Sequence, residues 1–191
     1  MKLDTHASFK ISRRQLLIHS TATIIASSLS PIVHATSNQA LPRDSKKLLS
    51  FRNLHTNETL SASYWENGQY NFSELEKINY ILRDHRTHEI AAIDHQLLDM
   101  LHRLHSLTNS NSPFEIISGF RSEKTNQALR KSTTGVAKRS YHMQGKAIDV
   151  RLADVELKTL RDKAIGLNSG GIGYYRKSGF LHIDTGRPRN W

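Results

Sequence analysis

Two histidines and one aspartate stand where they could hold a metal ion: His142 and Asp149 within Ser140 to Asp149, and His182 within Phe180 to Asp184. Imidazole nitrogens and a carboxylate oxygen are ligand types of a catalytic zinc, which takes three protein groups and keeps a fourth position open. Residues Lys146 to Arg151 alternate, so Ile148 and Val150 point to one face of a strand and Ala147, Asp149 and Arg151 to the other. Likewise Phe180, His182 and Asp184 share a face, with Leu181 and Ile183 opposite. Pairing of the two strands would set His182 across the ladder from Asp149. His142, in a loop that Gly145 can turn sharply, would fold over both. The pattern predicts a three-ligand site, although 11 histidines in 191 residues leave chance spacing open as an alternative.

Other patterns offer weaker chemistry. His95, His102 and His105 lie near one face of an expected helix, but no carboxylate is placed to complete a metal site there. His88-Glu89 begins a His-Glu-x-x-His motif that Ala92 breaks. The run Gly170-Gly171-Ile172-Gly173 lacks the Gly-Lys-Ser/Thr ending of a phosphate loop and follows a helix. It reads as a strand edge that admits substrate backbone, with Tyr174 and Tyr175 either lining that groove or packing the core.

The elements that must position these residues are short. Leu48 to His55 and Thr59 to Trp65 predict a hairpin, and Asn67-Gly68 a turn. A helix is expected from Ser73, capped by its hydroxyl and Glu76, with Leu75, Ile78, Ile81 and Leu82 buried. A second helix runs from a cap at Asp94 to Thr108 on a Leu97, Leu98, Leu101, Leu104 stripe. Phe114 to Ser118 is a strand with Arg121 just past its end, where functional side chains often project from a rigid frame and where a surface salt bridge is the plain alternative. Ser122 to Lys131 reads as helical, Ser132 to Arg139 as a loop beside the metal site, and Asp154 as the cap of a helix carrying Val155, Leu157, Leu160 and Ala164.

The first 35 residues read as an address. Ser12-Arg13-Arg14-Gln15-Leu16-Leu17 is a twin-arginine pattern, an apolar run follows, and Val33-His34-Ala35 supplies small residues for cleavage. That run is short and broken by Ser, Thr and His, so no stable membrane span is expected after cleavage, and the periplasm is the expected location. Residues 36–47 read as a linker and 48–191 as one domain large enough for a core. The formal charge is +10 and cysteine is absent, which excludes disulfides and thiol chemistry. Export argues against nucleic acid as the partner of that charge and favours an anionic wall polymer or membrane surface.

Ser-x-His-x-x-Gly-x-Ala-x-Asp at Ser140 to Asp149, followed by His182-Ile183-Asp184, resembles the zinc peptidases that include D-Ala-D-Ala carboxypeptidases, lysostaphin-type enzymes and the hedgehog signalling domain. Similarity extends to Ser118 to Ser122, Gly170 to Tyr175 and His182 to Trp191, and is greatest to the murein endopeptidase K branch. The resemblance implies an α+β fold, a small mixed or antiparallel sheet with flanking helices, and Zn2+ held by His142, Asp149 and His182. It implies that Arg121 contacts substrate and helps stabilise the developing oxyanion. It implies peptidoglycan as substrate, with cleavage of cross-links that include those between meso-diaminopimelate residues. Many members carry an acid three positions before the second histidine, where this chain has Gly179. Asp184 is the substitute, about 6.5 Å along the strand from His182, and on reach it is expected to act as general base. The alternative role is to orient an imidazole. A D,D- or L,D-carboxypeptidase, or a catalytically silent zinc-containing wall-binding module, are the alternative functions.

Overall fold

The computed structural model describes residues 46–191. The export segment expected over 1–35 and residues 36–45 of the expected linker lie outside the described residues. Lys46 and Lys47, the end of that linker, belong to the first strand.

The described residues form one mixed sheet and four helices. Its strands are β1 (Lys46–Asn53), β2 (Thr59–Glu66), β3 (Gln69–Tyr70), β4 (Phe114–Ser118), β5 (Ala147–Leu152), β6 (Gly171–Tyr175), β7 (Phe180–Asp184) and β8 (Arg189–Asn190). They lie in the order β3-β2-β1-β4-β5-β7-β6-β8, antiparallel except for β1 beside β4 and β6 beside β8. The helices are α1 (Phe72–Ile81), α2 (His95–Thr108), α3 (Glu123–Ser132) and α4 (Leu157–Gly166). The α+β expectation holds, with a larger sheet than expected. Strands β3 and β8 are two residues long, too short to show a period in sequence.

Alternation decides what each strand buries. Leu49 and Phe51, Phe114 and Ile116, Ile148, Val150 and Leu152, and Leu181 and Ile183 join one core with the apolar stripes of α1, α2 and α4. Burying each such side chain contributes about 1.5–3 kcal/mol. The other face of β5 and β7 carries Asp149, His182 and Asp184. Helix α3 contributes no residue to the core; its buried positions are Thr125 and Asn126.

Two expected caps move. Helix α1 starts at Phe72, capped by Asn71, whose Oδ1 accepts from Glu74 N–H at 3.3 Å; the chain enters the helix directly from the β2–β3 hairpin, ahead of Ser73. Asp154 does not cap α4. Its carboxylate accepts from Ser110 Oγ at 2.5 Å and Asn111 N–H at 2.9 Å, drawn to the loop before β4, and Glu156 stands at the cap without a side-chain bond. Asp94 caps α2 as expected, accepting from Gln96 N–H. No helix among the described residues is long and apolar enough to cross a membrane.

Candidate metal centre

Strands β5 and β7 pair with Asp149 opposite His182, which sets both side chains on one face. His142 comes from a single 3-10 turn, Tyr141–Gln144, capped by Ser140 and closed by Gly145 in a left-handed conformation at φ +66°. Arg121 N–H donates to the His142 carbonyl at 3.2 Å, tying the turn to the end of β4. Asp149 Oδ1 then lies 2.9 Å from His182 Nδ1 and 3.3 Å from His142 Nε2, and the two ring nitrogens are 3.2 Å apart. A tetrahedral zinc at its usual 2.0–2.1 Å bond lengths requires ligand atoms about 3.3 Å apart. The three residues fit such an ion. No other trio of histidine, cysteine or acid converges in this way among the described residues.

The surrounding bonds set which nitrogen faces the centre. His142 Nδ1–H donates to the Gly119 carbonyl at 2.7 Å, leaving the Nε2 lone pair for a ligand. His182 Nε2–H donates to Asp184 Oδ2 at 3.0 Å, leaving Nδ1. Burial lowers the pKa of His142, which suits a neutral ligand. Burial also opposes charge on His182, but hydrogen bonds to Asp149 and Asp184 outweigh it and raise its pKa. For Asp149, burial pushes the carboxyl up, and the two histidines hold it well below the usual carboxylate range.

Arg121 belongs to this cluster and not to an open surface. Its Nη2 donates to Asp149 Oδ2 at 2.6 Å and lies 3.2 Å from His142 Nε2, while Nε donates to Ser118 Oγ. Nothing among the described residues pairs with its Nη1. Asp84, fully buried, fixes the backbone beside it by accepting from Ser122 N–H at 2.9 Å. Above the centre opens a cleft of about 590 Å³. Loop residues 133–137 and Arg139 line it, as do Tyr175, Phe180 and Trp191.

Several sequence readings change here. The glycines of β6 do not form a substrate edge: β6 lies between β7 and β8. A side chain at Gly171 would run into the Arg189 guanidinium and the Asp184 carboxylate, and one at Gly173 into the Trp191 indole. Tyr175 lines the cleft, stacked on Phe180 at 4.7 Å, whereas Tyr174 packs on the core under Arg161. His95, His102 and His105 form no metal group; they pack against Tyr70, Tyr64 and Phe114. Arg189 and Trp191 join the site although no pattern in the sequence gives either of them a role there. Arg189 grips Asp184, and Trp191 stands 5.5 Å from the His182 ring. Both depend on β8 folding back beside β6, for which a two-residue strand carries no sequence signal.

A family model described as peptidoglycan L,D-endopeptidase MepK matches residues 42–191. The chain is 39% identical over 183 residues to peptidoglycan L,D-endopeptidase MepK of Escherichia coli strain K12, covering 96% of this chain and 98% of that protein. It is 40% identical over 146 residues to the probable peptidoglycan L,D-endopeptidase MepK of Haemophilus influenzae, covering 76% of this chain and 78% of that one. No solved structure gives a significant match. With such a match over most of its length, and ligand-type residues meeting at one point of the sheet, the chain belongs to the MepK family of M15 peptidases.

Proposed function

We propose that this chain is a zinc-dependent endopeptidase that hydrolyses peptide cross-links of peptidoglycan in the periplasm. The observation that carries the reading is the meeting of His142 Nε2, Asp149 Oδ1 and His182 Nδ1 at the spacing of a zinc coordination sphere, on the floor of an open cleft. The relatives' names supply the substrate class, and the twin-arginine pattern supports residues 1–35 as an export signal ahead of a linker and one domain. The Ser140 to Asp149 and His182 to Asp184 motifs support a hedgehog-like fold for that domain. When bound, zinc would polarise the scissile carbonyl and make water a nucleophile near neutral pH.

The protein's own groups do the rest. His142, Asp149 and His182 hold the ion, and each histidine is kept in the required tautomer by its outer hydrogen bond. Arg121 commits Nη2 to Asp149 and has Nη1 available for the oxygen on which negative charge develops. Asp184 fits the orienting role better than that of base. The His182 ring stands between its carboxylate and the ligand centre, and Arg189 and Gly186 already occupy its oxygens.

The test is to digest purified cell walls with zinc-loaded protein, metal-stripped protein and a His182→Ala variant. Cross-linked muropeptide dimers should fall and monomers rise with the loaded protein alone. Shortened stems with dimers intact would mean a carboxypeptidase. No change in any digest would mean a silent wall-binding module, and full activity after metal removal would sink the zinc assignment.

A further inference from the structure

Three guanidinium groups and two carboxylates line the cleft: Arg121, Arg139, Arg189, Asp149 and Asp184. Asp149 pairs with Arg121 at 2.6 Å and Asp184 with Arg189 at 2.7 Å, so each acid is matched inside the protein. Arg139 has no ion pair and no hydrogen bond among the described residues. It is exposed, at the end of the loop that follows α3. Yet its backbone is well placed, because the next residue, Ser140, is buried and caps the turn that carries His142. The neighbouring cations Arg130, Lys131 and Lys138 are exposed and lie outside the cleft lining; they can attract an anionic polymer but cannot set its register. Arg139 is thus a planar, permanently charged fork at the rim of the reaction site with no partner of its own, the geometry that takes a carboxylate by two parallel hydrogen bonds.

We propose that Arg139 is a specificity-determining residue that binds a free carboxylate of the stem peptide, so that the cleft prefers stems with ionised carboxyls over amidated ones. The proposal rests on the peptidoglycan reading above. Acidic residues of a stem peptide present such groups beside the cross-link, and the other two cleft guanidiniums, Arg121 and Arg189, are each already ion-paired to a cleft carboxylate.

The experiment uses two cross-linked stem-peptide dimers that differ only in whether the diaminopimelate carboxyls outside the scissile bond are free acids or carboxamides. KM and kcat are measured for zinc-loaded wild type, Arg139→Ala and Arg139→Lys. Wild type should show a KM lower for the acid dimer by roughly three- to tenfold, the range of a part-exposed charge pair. Arg139→Ala should raise KM for the acid dimer alone, with kcat within about twofold, the pattern of lost uniform binding. Arg139→Lys should restore part of the preference. An acid preference that survives Arg139→Ala, or no preference in wild type, overturns the proposal while leaving the hydrolase reading intact. Failure of wild type to cleave either dimer sinks the peptidase reading, and this proposal with it.

Discussion

Asp184 accepts hydrogen bonds from His182 Nε2–H, from both terminal nitrogens of Arg189 and from Gly186 N–H, and it is completely buried. Burial pushes its carboxyl up, but those donors together outweigh it and hold the pKa below the usual carboxylate range. A carboxylate so engaged is a weak acceptor for one more proton. Replacement with asparagine is therefore expected to act through His182. Zinc affinity should weaken and turnover fall about 10–100-fold, the size of a change behind a metal ligand. A general base would instead cost about 10²–10⁴-fold with metal content unchanged. Zinc content and turnover on one preparation separate the two, and the second pattern would return Asp184 to the base role.

At the scale of the element, the glycines of β6 show how a strand can serve a site through the side chains it lacks, while Tyr175 at its end lines the cleft. Gly171 pairs with Asp184 on one side and Arg189 on the other, and its missing side chain leaves room for the ion pair between them. Gly171→Ala should force that pair apart. The expected loss is about 1–3 kcal/mol of stability, the usual size of overpacking, with weaker zinc binding because His182 loses its anchor. Denaturant unfolding and metal titration would measure both. A glycine that faced substrate would raise KM and leave stability unchanged, and that result would restore the substrate-edge reading of the strand.

Across the whole molecule, the segment after α1 ties the helical layer to the site. Leu82 accepts from Phe120 N–H, Asp84 holds the start of α3, and His85 stacks on His55 at 3.8 Å, whose ring bonds the Ile117 carbonyl at the end of β4. Burial, with help from the neighbouring His55 and Arg86, lowers the pKa of His85 to about 4 from its ordinary 6.5. The unfolded chain therefore takes up this proton before the folded one does. The contribution of His85 is complete above pH 6.5 and is lost as pH falls through 4. Melting temperatures of metal-free protein between pH 7.5 and 4 should fall more steeply for wild type than for His85→Gln. Parallel curves would show that this stack has no part in acid sensitivity.

The ligand-type trio was legible in the sequence because strand alternation is local: an apolar 148, 150 and an apolar 181, 183 oblige 149 and 182 to share the other face once the strands pair. The stripe of α2 and its Asp94 cap were legible for the same reason, since a helix period and a capping oxygen act within a few residues. Tertiary structure alone decided the strand order, the Asp184–Arg189 pair, the use of the β6 glycines and the diversion of Asp154 from its helix. Each of these depends on two segments meeting in space whose own patterns are too short, or too ordinary, to announce a partner. A carboxylate follows its strongest available donors, and where those donors lie is settled by the register of the whole sheet.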